Sequence, residues 1–360
     1  MQVLYPGNPG YMRTVGYLFL LCCLVTGKAL GSTPNAVIFM YHHFGEENHP
    51  STNIRLDQFE AHLGYLQSAG YQILPLEEIV QAFREGSPLP DRSVAITIDD
   101  AYLSVYTQAY PRLKGLGWPF TVFVATDSVD RKLPAFMTWG QMREMQAHGA
   151  TFANHSASHD YLIRRQQGET RQQWRGRIRR DILRAQERLE EELHVRPALF
   201  AYPYGEYNRA LADIVADLGL TAFGQHSGAI GPYSDLRALP RFPMAEKFAD
   251  LDQFRLKAAS LAMPVIEVVP WDPQRQDSAP PAMIVTLAPS DADLKQLRCY
   301  GSDGSVITPT WLKGKQRRFM VAVEHPLPPG RSRYNCTAPS EESGRFYWFS
   351  HLWIVPAPRR

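Results

Sequence analysis

The stretch VAITIDDAY (residues 94–102) joins a short apolar run to a pair of carboxylates. Val94–Ile98 is rich in β-branched residues, which predicts a strand buried on both faces, as in parallel sheets. Asp99 and Asp100 follow directly. Because the carboxyl ends of parallel strands form the active face of α/β proteins, one carboxylate is a candidate metal ligand while the other faces a water molecule. The alternative is an ordinary turn or a helix N-cap.

Similar apolar runs recur along the chain and alternate with helical patterns. The segments 56–70, 75–86 and 169–192 have helical spacing, and the first two end at glycine. Strands that alternate with helices predict βα units around a parallel sheet, here a closed or nearly closed barrel. No glycine-rich phosphate loop follows a strand, which leaves a dinucleotide-binding fold without support. The other predicted strands are Ala36–Tyr41, Phe120–Ala125, Ala150–Asn154, Ala198–Tyr202 and Leu220–Gly224.

The pattern changes after residue 263. Prolines punctuate residues 264–282, which we interpret as a linker, and residues 283–360 hold short alternating runs typical of a small all-β, sandwich-like domain without helices. Cys299 and Cys336 both lie in this last part, and in an exported protein they predict one disulfide. The alternative is two unpaired buried thiols.

The amino-terminal segment 1–33 has the order of a secretory signal peptide. Arg13 precedes the apolar run 15–30, and small residues follow from Gly31. Met12 is a candidate translation start, which would make residues 1–11 a mis-annotated extension. We therefore expect a periplasmic or secreted protein without lasting membrane insertion after cleavage; an uncleaved anchor is the alternative.

The near-zero net charge argues against nucleic acid or anionic lipid as a binding partner. With 38 basic and 36 acidic residues among 360, no overall field recruits nucleic acid or anionic lipid. The 44% hydrophobic content is that of a folded globular protein.

Polar side chains follow three other predicted strands. His155 and His159 come after Ala150–Asn154, close enough to reach one ion, and two histidines with a carboxylate are a recurring set for catalytic Zn²⁺ or related divalent ions. A structural or solvent-facing pair is the alternative. Residues 203–205 form a Pro-Tyr-Gly turn that could present backbone N–H groups to a sugar. His42 and His43 follow the first strand, and one of them could donate a proton.

In order and spacing these motifs resemble the polysaccharide deacetylase family, also called carbohydrate esterase family 4 or the NodB-homology domain. Residues 97–101 (TIDDA) match its Thr-Phe-Asp-Asp-Gly motif, residues 155–159 (HSASH) its His-Ser/Thr-x-x-His motif, and residues 203–205 (PYG) the end of its third motif. The resemblance covers residues 36–244, within a catalytic domain that we place at residues 34–263.

The resemblance implies a distorted (β/α) barrel with fewer than eight strands and a metal-dependent carbohydrate N-deacetylase. Its metal, Zn²⁺ or another divalent ion such as Co²⁺ or Ni²⁺, would be held by Asp100, His155 and His159. Asp99 would be the base, and the Tyr204 N–H would stabilise the oxyanion. The substrate would be an acetylated amino-sugar polysaccharide.

The chain departs from the family pattern at several positions. Ala101 replaces the usual glycine, and the arginine that orients the base is missing before Pro203. Arg241 is the candidate replacement. The usual carboxyl-terminal histidine motif is also missing, but the Tyr41–His42 strand end resembles the permuted branch of poly-β-1,6-N-acetylglucosamine deacetylases, which implies His42 as the acid.

Two other readings stay open from the sequence. The same site would serve a deacetylase of peptidoglycan, chitin oligomers or O-acetyl esters. A non-catalytic glycan-binding protein of the same fold is the alternative from a different class.

Overall fold

The computed structural model describes residues 1–4, 34–314, 317–342 and 344–355. The predicted signal segment lies outside this part of the chain apart from its first four residues. Among the residues described, no helix has the length and apolar character needed to cross a bilayer.

A parallel sheet organises the first two thirds of the chain. Its strands follow the order β10-β1-β5-β6-β7-β8-β9, and β4 pairs with the start of β5. A bridge between Phe223 and Leu239 links the last strand to the segment that leads into β10, so that the sheet curls into a nearly closed barrel. This confirms the predicted distorted barrel. The strands up to this point are β1 (Ala36–Tyr41), β2 (His43–Phe44), β3 (Asn53–Ile54), β4 (Gln72–Ile73), β5 (Ser93–Asp99), β6 (Phe120–Val124), β7 (Ala150–Asn154), β8 (Leu199–Ala201), β9 (Thr221–Phe223) and β10 (Phe242–Pro243).

Helices cover the outside of the barrel. The long helix α6 buries one stripe, which includes Trp174, Ile178 and Leu189, and leaves most of its arginines toward solvent. A capping box at Thr170 begins this helix, whereas Gly86 ends α2 in the left-handed conformation. The helices are α1 (Leu56–Ser68), α2 (Leu76–Glu85), α3 (Tyr110–Leu116), α4 (Thr126–Asp130), α5 (Trp139–Gln146), α6 (Arg171–Leu193), α7 (Arg209–Asp217) and α8 (Leu251–Ala258), with a π-helical turn at Val105–Ala109 and 3₁₀ turns at Pro203–Gly205, Glu246–Ala249 and Leu294–Gln296.

Two further sheets form the carboxyl-terminal part. One has the order β11-β19-β18-β14-β15 and the other β12-β13-β17-β16, and they share one apolar core. Cys299 and Cys336 lie opposite each other on β14 and β18 and form a disulfide, with their Cα atoms 4.1 Å apart. The strands are β11 (Leu261–Ala262), β12 (Val265–Val269), β13 (Met283–Leu287), β14 (Arg298–Tyr300), β15 (Val306–Ile307), β16 (Thr310–Trp311), β17 (Arg318–Val321), β18 (Gly330–Pro339) and β19 (Phe346–Val355).

The predicted linker needs correction. Strand β12 lies inside residues 264–282 and pairs antiparallel with β13, so this stretch already belongs to the β-sheets. Strand β12 was not predicted because prolines stand at both ends of its short run VIEVV, as is typical of a linker. The 3₁₀ turn at Leu294–Gln296 is a single turn capped by Asp293, too short to give a periodic signal. The division of the chain into domains stays a prediction.

Candidate metal centre and its surroundings

The predicted site residues gather at the carboxyl ends of the barrel strands. Asp99 is the last residue of β5 and Asp100 follows it, while His155 follows β7. The parallel registers of β5, β6 and β7 bring these strand ends side by side. The fold therefore assembles residues that are far apart in sequence at one edge.

Asp100, His155 and His159 form a compact three-ligand group. The Oδ1 atom of Asp100 lies 3.3 Å from His155 Nε2 and 3.0 Å from His159 Nε2. His155 Nδ1 lies 2.8 Å from the carbonyl oxygen of Ala201, which can only accept, so Nδ1 carries the proton and Nε2 presents a lone pair. Within the described residues, Asp100 Oδ1 and His155 Nε2 have no partner outside this group.

This group fits a divalent cation. Two buried electron-pair donors facing each other without a shared proton are stabilised by a positive ion between them, and a carboxylate with two imidazoles is a common set for Zn²⁺ and similar ions. The Ala201 carbonyl fixes the tautomer and the ring orientation of His155, as outer partners of metal ligands do.

The protonation equilibria reflect the attraction between the carboxylates and the imidazoles. Burial would raise the pKa of Asp100, but the adjacent imidazoles hold it well below its ordinary value. Burial would lower the pKa of His155, but the neighbouring carboxylates of Asp100 and Asp99 raise it. Both shifts show that opposite charges stabilise each other at this site.

Arg241 lies directly against Asp99. Its guanidinium donates to both carboxylate oxygens, Nη1 to Oδ1 at 2.7 Å and Nη2 to Oδ2 at 2.8 Å, and both side chains are fully buried. This is the bidentate geometry in which arginine fixes the plane of a carboxylate. Arg241, the candidate replacement for the missing motif arginine, thus contacts Asp99 directly.

Further bonds fix the guanidinium itself. Its Nε donates to the carbonyl of Gly224 at 3.0 Å, and Nη1 also lies 3.2 Å from the Thr97 hydroxyl. Thr97 stands two residues before Asp99 and so points to the same face of β5. Burial would raise the pKa of Asp99, but the charges of Arg241 and His155 hold it below its ordinary value, so the carboxylate stays ionised.

His42 and His43 diverge after β1. His42 Nε2 lies 4.0 Å from Asp99 Oδ2, and its side chain is 12% exposed. Burial lowers the pKa of His42, against the opposite effect of Asp99 and Asp100, so that the ring is neutral at rest. His43 points away from Asp99 and stacks on Tyr102, with ring centroids 3.7 Å apart.

An aromatic wall borders the group at Tyr204. The Tyr204 ring meets His159 edge to face at 4.7 Å and stacks on Tyr161 at 4.0 Å. The Arg164 guanidinium lies 3.6 Å from the centroid of Tyr161. On the backbone side, Arg331 of β18 donates to the carbonyl of Tyr204. Tyr161, Arg164 and Arg331 were not among the predicted site residues, since no local motif marks them.

Asn154 organises the loop that carries both histidines. Its Oδ1 accepts from Ser156 N at 2.8 Å, and its amide donates to Ile182 O at 2.9 Å and to Gln186 at 3.1 Å on α6. The Ser156 hydroxyl then accepts from His159 N at 3.0 Å. Asn154 thus links the loop to α6. Its position at the end of β7 is the signal in the sequence that indicates this role.

Backbone strain accumulates around the site. Asp100, Ala101, Ser156, His159 and Tyr204 all have positive φ angles, between 55° and 75°. Non-glycine residues adopt this region at a cost and persist in it where the surroundings fix them, which happens most at functional sites. Ala101 stands where the family pattern has glycine, and its φ of 58° explains that preference.

A parallel barrel with a group of potential Asp–His–His metal ligands at its strand ends is an arrangement found in metal-dependent hydrolases. Residues 86–223 match the family model described as "Polysaccharide deacetylase". This agrees with the family that the sequence motifs resemble.

Similar sequences carry a consistent name. The chain is 28% identical over 258 residues to a poly-β-1,6-N-acetyl-D-glucosamine N-deacetylase of Escherichia coli (strain K12), covering 62% of this chain and 37% of that protein. It is 24% identical over 213 residues to a protein of the same name from Staphylococcus aureus (strain MRSA252), covering 58% and 73%. This chain therefore matches little more than a third of the length of the E. coli protein.

Solved structures share the fold. The Streptococcus pyogenes deacetylase PplD in complex with acetate aligns with a TM-score of 0.56 at 23% identity, covering 62% of this chain and 97% of that one. IcaB from Ammonifex degensii aligns with a TM-score of 0.55 at 24% identity, covering 61% and 97%. At these levels of identity the likeness concerns the fold alone.

Proposed function

We propose that this protein is a metal-dependent hydrolase that removes N-acetyl groups from an N-acetylglucosamine-containing polysaccharide. The observation that carries the proposal is the Asp100–His155–His159 group beside an ionised carboxylate that is clamped by Arg241. The names of the relatives favour a β-1,6-linked exopolysaccharide.

The residues fit hydrolysis of an acetamide. A Zn²⁺, Co²⁺ or Ni²⁺ ion bound by Asp100, His155 and His159 would supply Lewis-acid chemistry, polarising the carbonyl and making water more acidic. Asp99 remains ionised and fixed, which suits a base that accepts a proton from the attacking water. The Tyr204 N–H is the proposed donor to the oxyanion.

His42 is the proposed acid. It is neutral at rest and lies 4.0 Å from Asp99, so it takes up the proton that Asp99 accepts and passes it to the departing nitrogen. Water and the acetamide thereby become acetate and the protonated sugar amine, with no other reactant consumed. Arg241 acts as a positioning residue, because it touches Asp99 and not the reacting atoms.

We also propose that the protein is exported, to the periplasm or outside the cell. The basic, apolar and small segments in residues 13–33 support this.

Amine release from N-acetylglucosamine oligomers tests the proposal. The wild-type protein would be assayed on β-1,6- and β-1,4-linked oligomers and on an O-acetyl ester, as purified, after chelation and after addition of Zn²⁺, Co²⁺ or Ni²⁺. We expect activity on the β-1,6 oligomer that chelation abolishes and metal restores. Asp99→Asn should lower kcat by about 10²- to 10⁴-fold, whereas the exposed control Asp57→Asn should not change it.

Two outcomes would contradict the proposal. Activity that survives complete chelation would refute metal dependence. Binding of the oligomers without turnover of any acetylated substrate would instead establish a non-catalytic glycan-binding protein. Faster turnover of the β-1,4 oligomer or of the ester would replace the proposed substrate with chitin-like or ester substrates.

A further inference from the structure

A second group of potential metal ligands lies next to the centre described above. His43, Glu46 and His49 each offer one ligand atom, and these atoms lie within 4.8 Å of one another. The three residues belong to one short segment, from β2 to the loop before β3, and none of them is assigned a role in deacetylation.

The backbone of this segment is extensively hydrogen bonded. Glu46 N donates to the side-chain oxygen of Asn53 at 2.8 Å, and His49 N donates to Glu46 O at 3.0 Å. Asn53 N donates to His49 O at 2.8 Å, and Gly45 N to Ile54 O at 2.9 Å. The positions of the Glu46 and His49 Cα atoms are therefore fixed relative to the sheet before any ion binds.

The Thr52 hydroxyl orients the His43 ring. Its oxygen lies 3.0 Å from His43 Nδ1. In the tautomer that carries the proton on Nδ1, this oxygen accepts the ring proton and Nε2 presents its lone pair. A hydrogen bond behind the ligand is typical of metal-binding histidines.

The two imidazoles are stacked nearly parallel. The ring centroids of His43 and His49 lie 4.4 Å apart at an interplanar angle of 12°. Because a metal ion lies in the plane of each imidazole that binds it, the His49 ring has to turn out of this stack to share one ion with His43. Ligand atoms around tetrahedral Zn²⁺ are about 3.4 Å apart. Glu46 is half-buried and His49 exposed, so both can close the remaining distance by side-chain rotation alone, while His43 is buried and fixed.

We propose that His43, Glu46 and His49 form a second divalent-cation site, at the edge of the first. Two imidazoles and one carboxylate favour Zn²⁺, Co²⁺ or Ni²⁺ over Mg²⁺ or Ca²⁺, which prefer oxygen ligands. Tyr102 stacks on His43 and stands two residues after Asp100, so the two sites are neighbours that share no ligand. A cation here would clamp the loop before β3 beside His42.

Counting bound Zn²⁺ on the full chain tests this proposal independently of deacetylation. After chelation, the protein would be dialysed against Zn²⁺ and its metal content measured by mass spectrometry. We expect about two ions per wild-type chain and about one for His49→Ala or Glu46→Ala. The control Glu47→Ala, an exposed acid beside the group, should retain about two. Thr52→Val should weaken the second site by about 10- to 100-fold.

A variant of the first centre separates the two sites. His155→Ala should lose one ion and keep the other, and the double variant with His49→Ala should keep neither. Circular dichroism of each variant establishes that it is folded. One ion per wild-type chain, or equal metal content in the wild type and His49→Ala, would overturn the proposed second site. No loss in His155→Ala would instead overturn the first centre.

Discussion

At the scale of single residues, the Arg241–Asp99 pair shows what a buried charge requires. Both side chains are fully buried, and each is the main compensation for the charge of the other. Removing one partner of such a pair leaves the other unpaired in a medium of low dielectric constant, whereas removing both charges costs less. Each of the two charges is therefore tolerated in the interior because the other is present.

A double-mutant cycle tests this interdependence. Arg241→Met should lower the free energy of unfolding by about 3–5 kcal/mol, because Asp99 keeps a buried charge without its partner. Adding Asp99→Asn should recover part of that loss. Urea unfolding of the wild type, both single variants and the double variant measures the coupling. Strictly additive effects would mean that the two side chains do not depend on each other.

The buried ammonium of Lys257 lowers the stability of the fold, and this cost depends on pH. Its side chain is 6% exposed, and burial, followed by the charge of Arg333, lowers the pKa of Lys257 to about 8. Between pH 8 and the unfolded value of about 10.4, the unfolded chain binds more protons, so stability rises with pH in that window. Below pH 8 both states are protonated and the cost of burying the charge is fully present.

Replacing the ammonium should remove this dependence. Lys257→Met should be more stable than the wild type at pH 7, by at most about 3 kcal/mol, less the lost hydrogen bond to Phe248 O. It should also lack the rise in stability above pH 8. Urea unfolding at intervals from pH 7 to 10 checks both, with the exposed Lys114→Met as control. The same pH slope in Lys257→Met and the wild type would contradict the assignment.

At the scale of elements, the sequence predicts what is local and periodic. Strands β1, β5, β6 and β7 lie where their apolar runs are, since each is buried along nearly its whole length. The two-residue strands β4 and β10 carry too few residues for any period, and their pairing with longer neighbours creates them. The motif residues of the metal group were visible because each follows a strand.

The contacts that complete the site depend on tertiary structure. Arg241 and Asp99 are 142 residues apart, and only the closing of the barrel beside β1 brings them together. Arg241 could be predicted because an arginine is missing from its usual place before Pro203, although no local motif marks Arg241 itself. No comparable gap in a motif points to Tyr161 or Arg331.

Asn154 allows a test of how one strand end supports the metal group. Asn154→Ala should weaken Zn²⁺ binding at the first centre by about 10- to 100-fold, because the loop with His155 and His159 loses its tie to α6. Competition with a chelating dye measures the affinity. Thr151→Val, on the same strand but with its hydroxyl against Thr121 and the Phe120 carbonyl, is the matched control and should bind Zn²⁺ normally. Equal affinities in both variants would show that the loop with His155 and His159 keeps its conformation without Asn154.

At the scale of the whole molecule, the carboxyl-terminal sheets are built into the barrel. Leu352 and Ile354 of β19 share a core with barrel residues such as Phe200, and the Trp348 ring meets Phe242 edge to face at 5.2 Å. Two arginines extend from these sheets to the barrel at different places. Arg331 reaches the Tyr204 turn beside the metal group, and Arg345 reaches Asp91 and Ala259 away from it.

These two arginines form a natural pair for asking whether the sheets influence the site. Arg331 fixes the peptide that follows Tyr204 and also lies 3.4 Å from Gln225 Oε1, so Arg331→Ala should let the turn relax. We expect kcat to fall by about 3- to 10-fold, about 0.7–1.4 kcal/mol of lost transition-state stabilisation, with unchanged Zn²⁺ content. Arg345→Ala breaks bonds of the same kind at 3.1 Å and should cost stability while leaving kcat intact. Steady-state kinetics on the β-1,6 oligomer and urea unfolding of both variants separate these effects. If both substitutions lower kcat equally, the sheets act on the site only through general stability, and Arg331 has no particular part in positioning Tyr204.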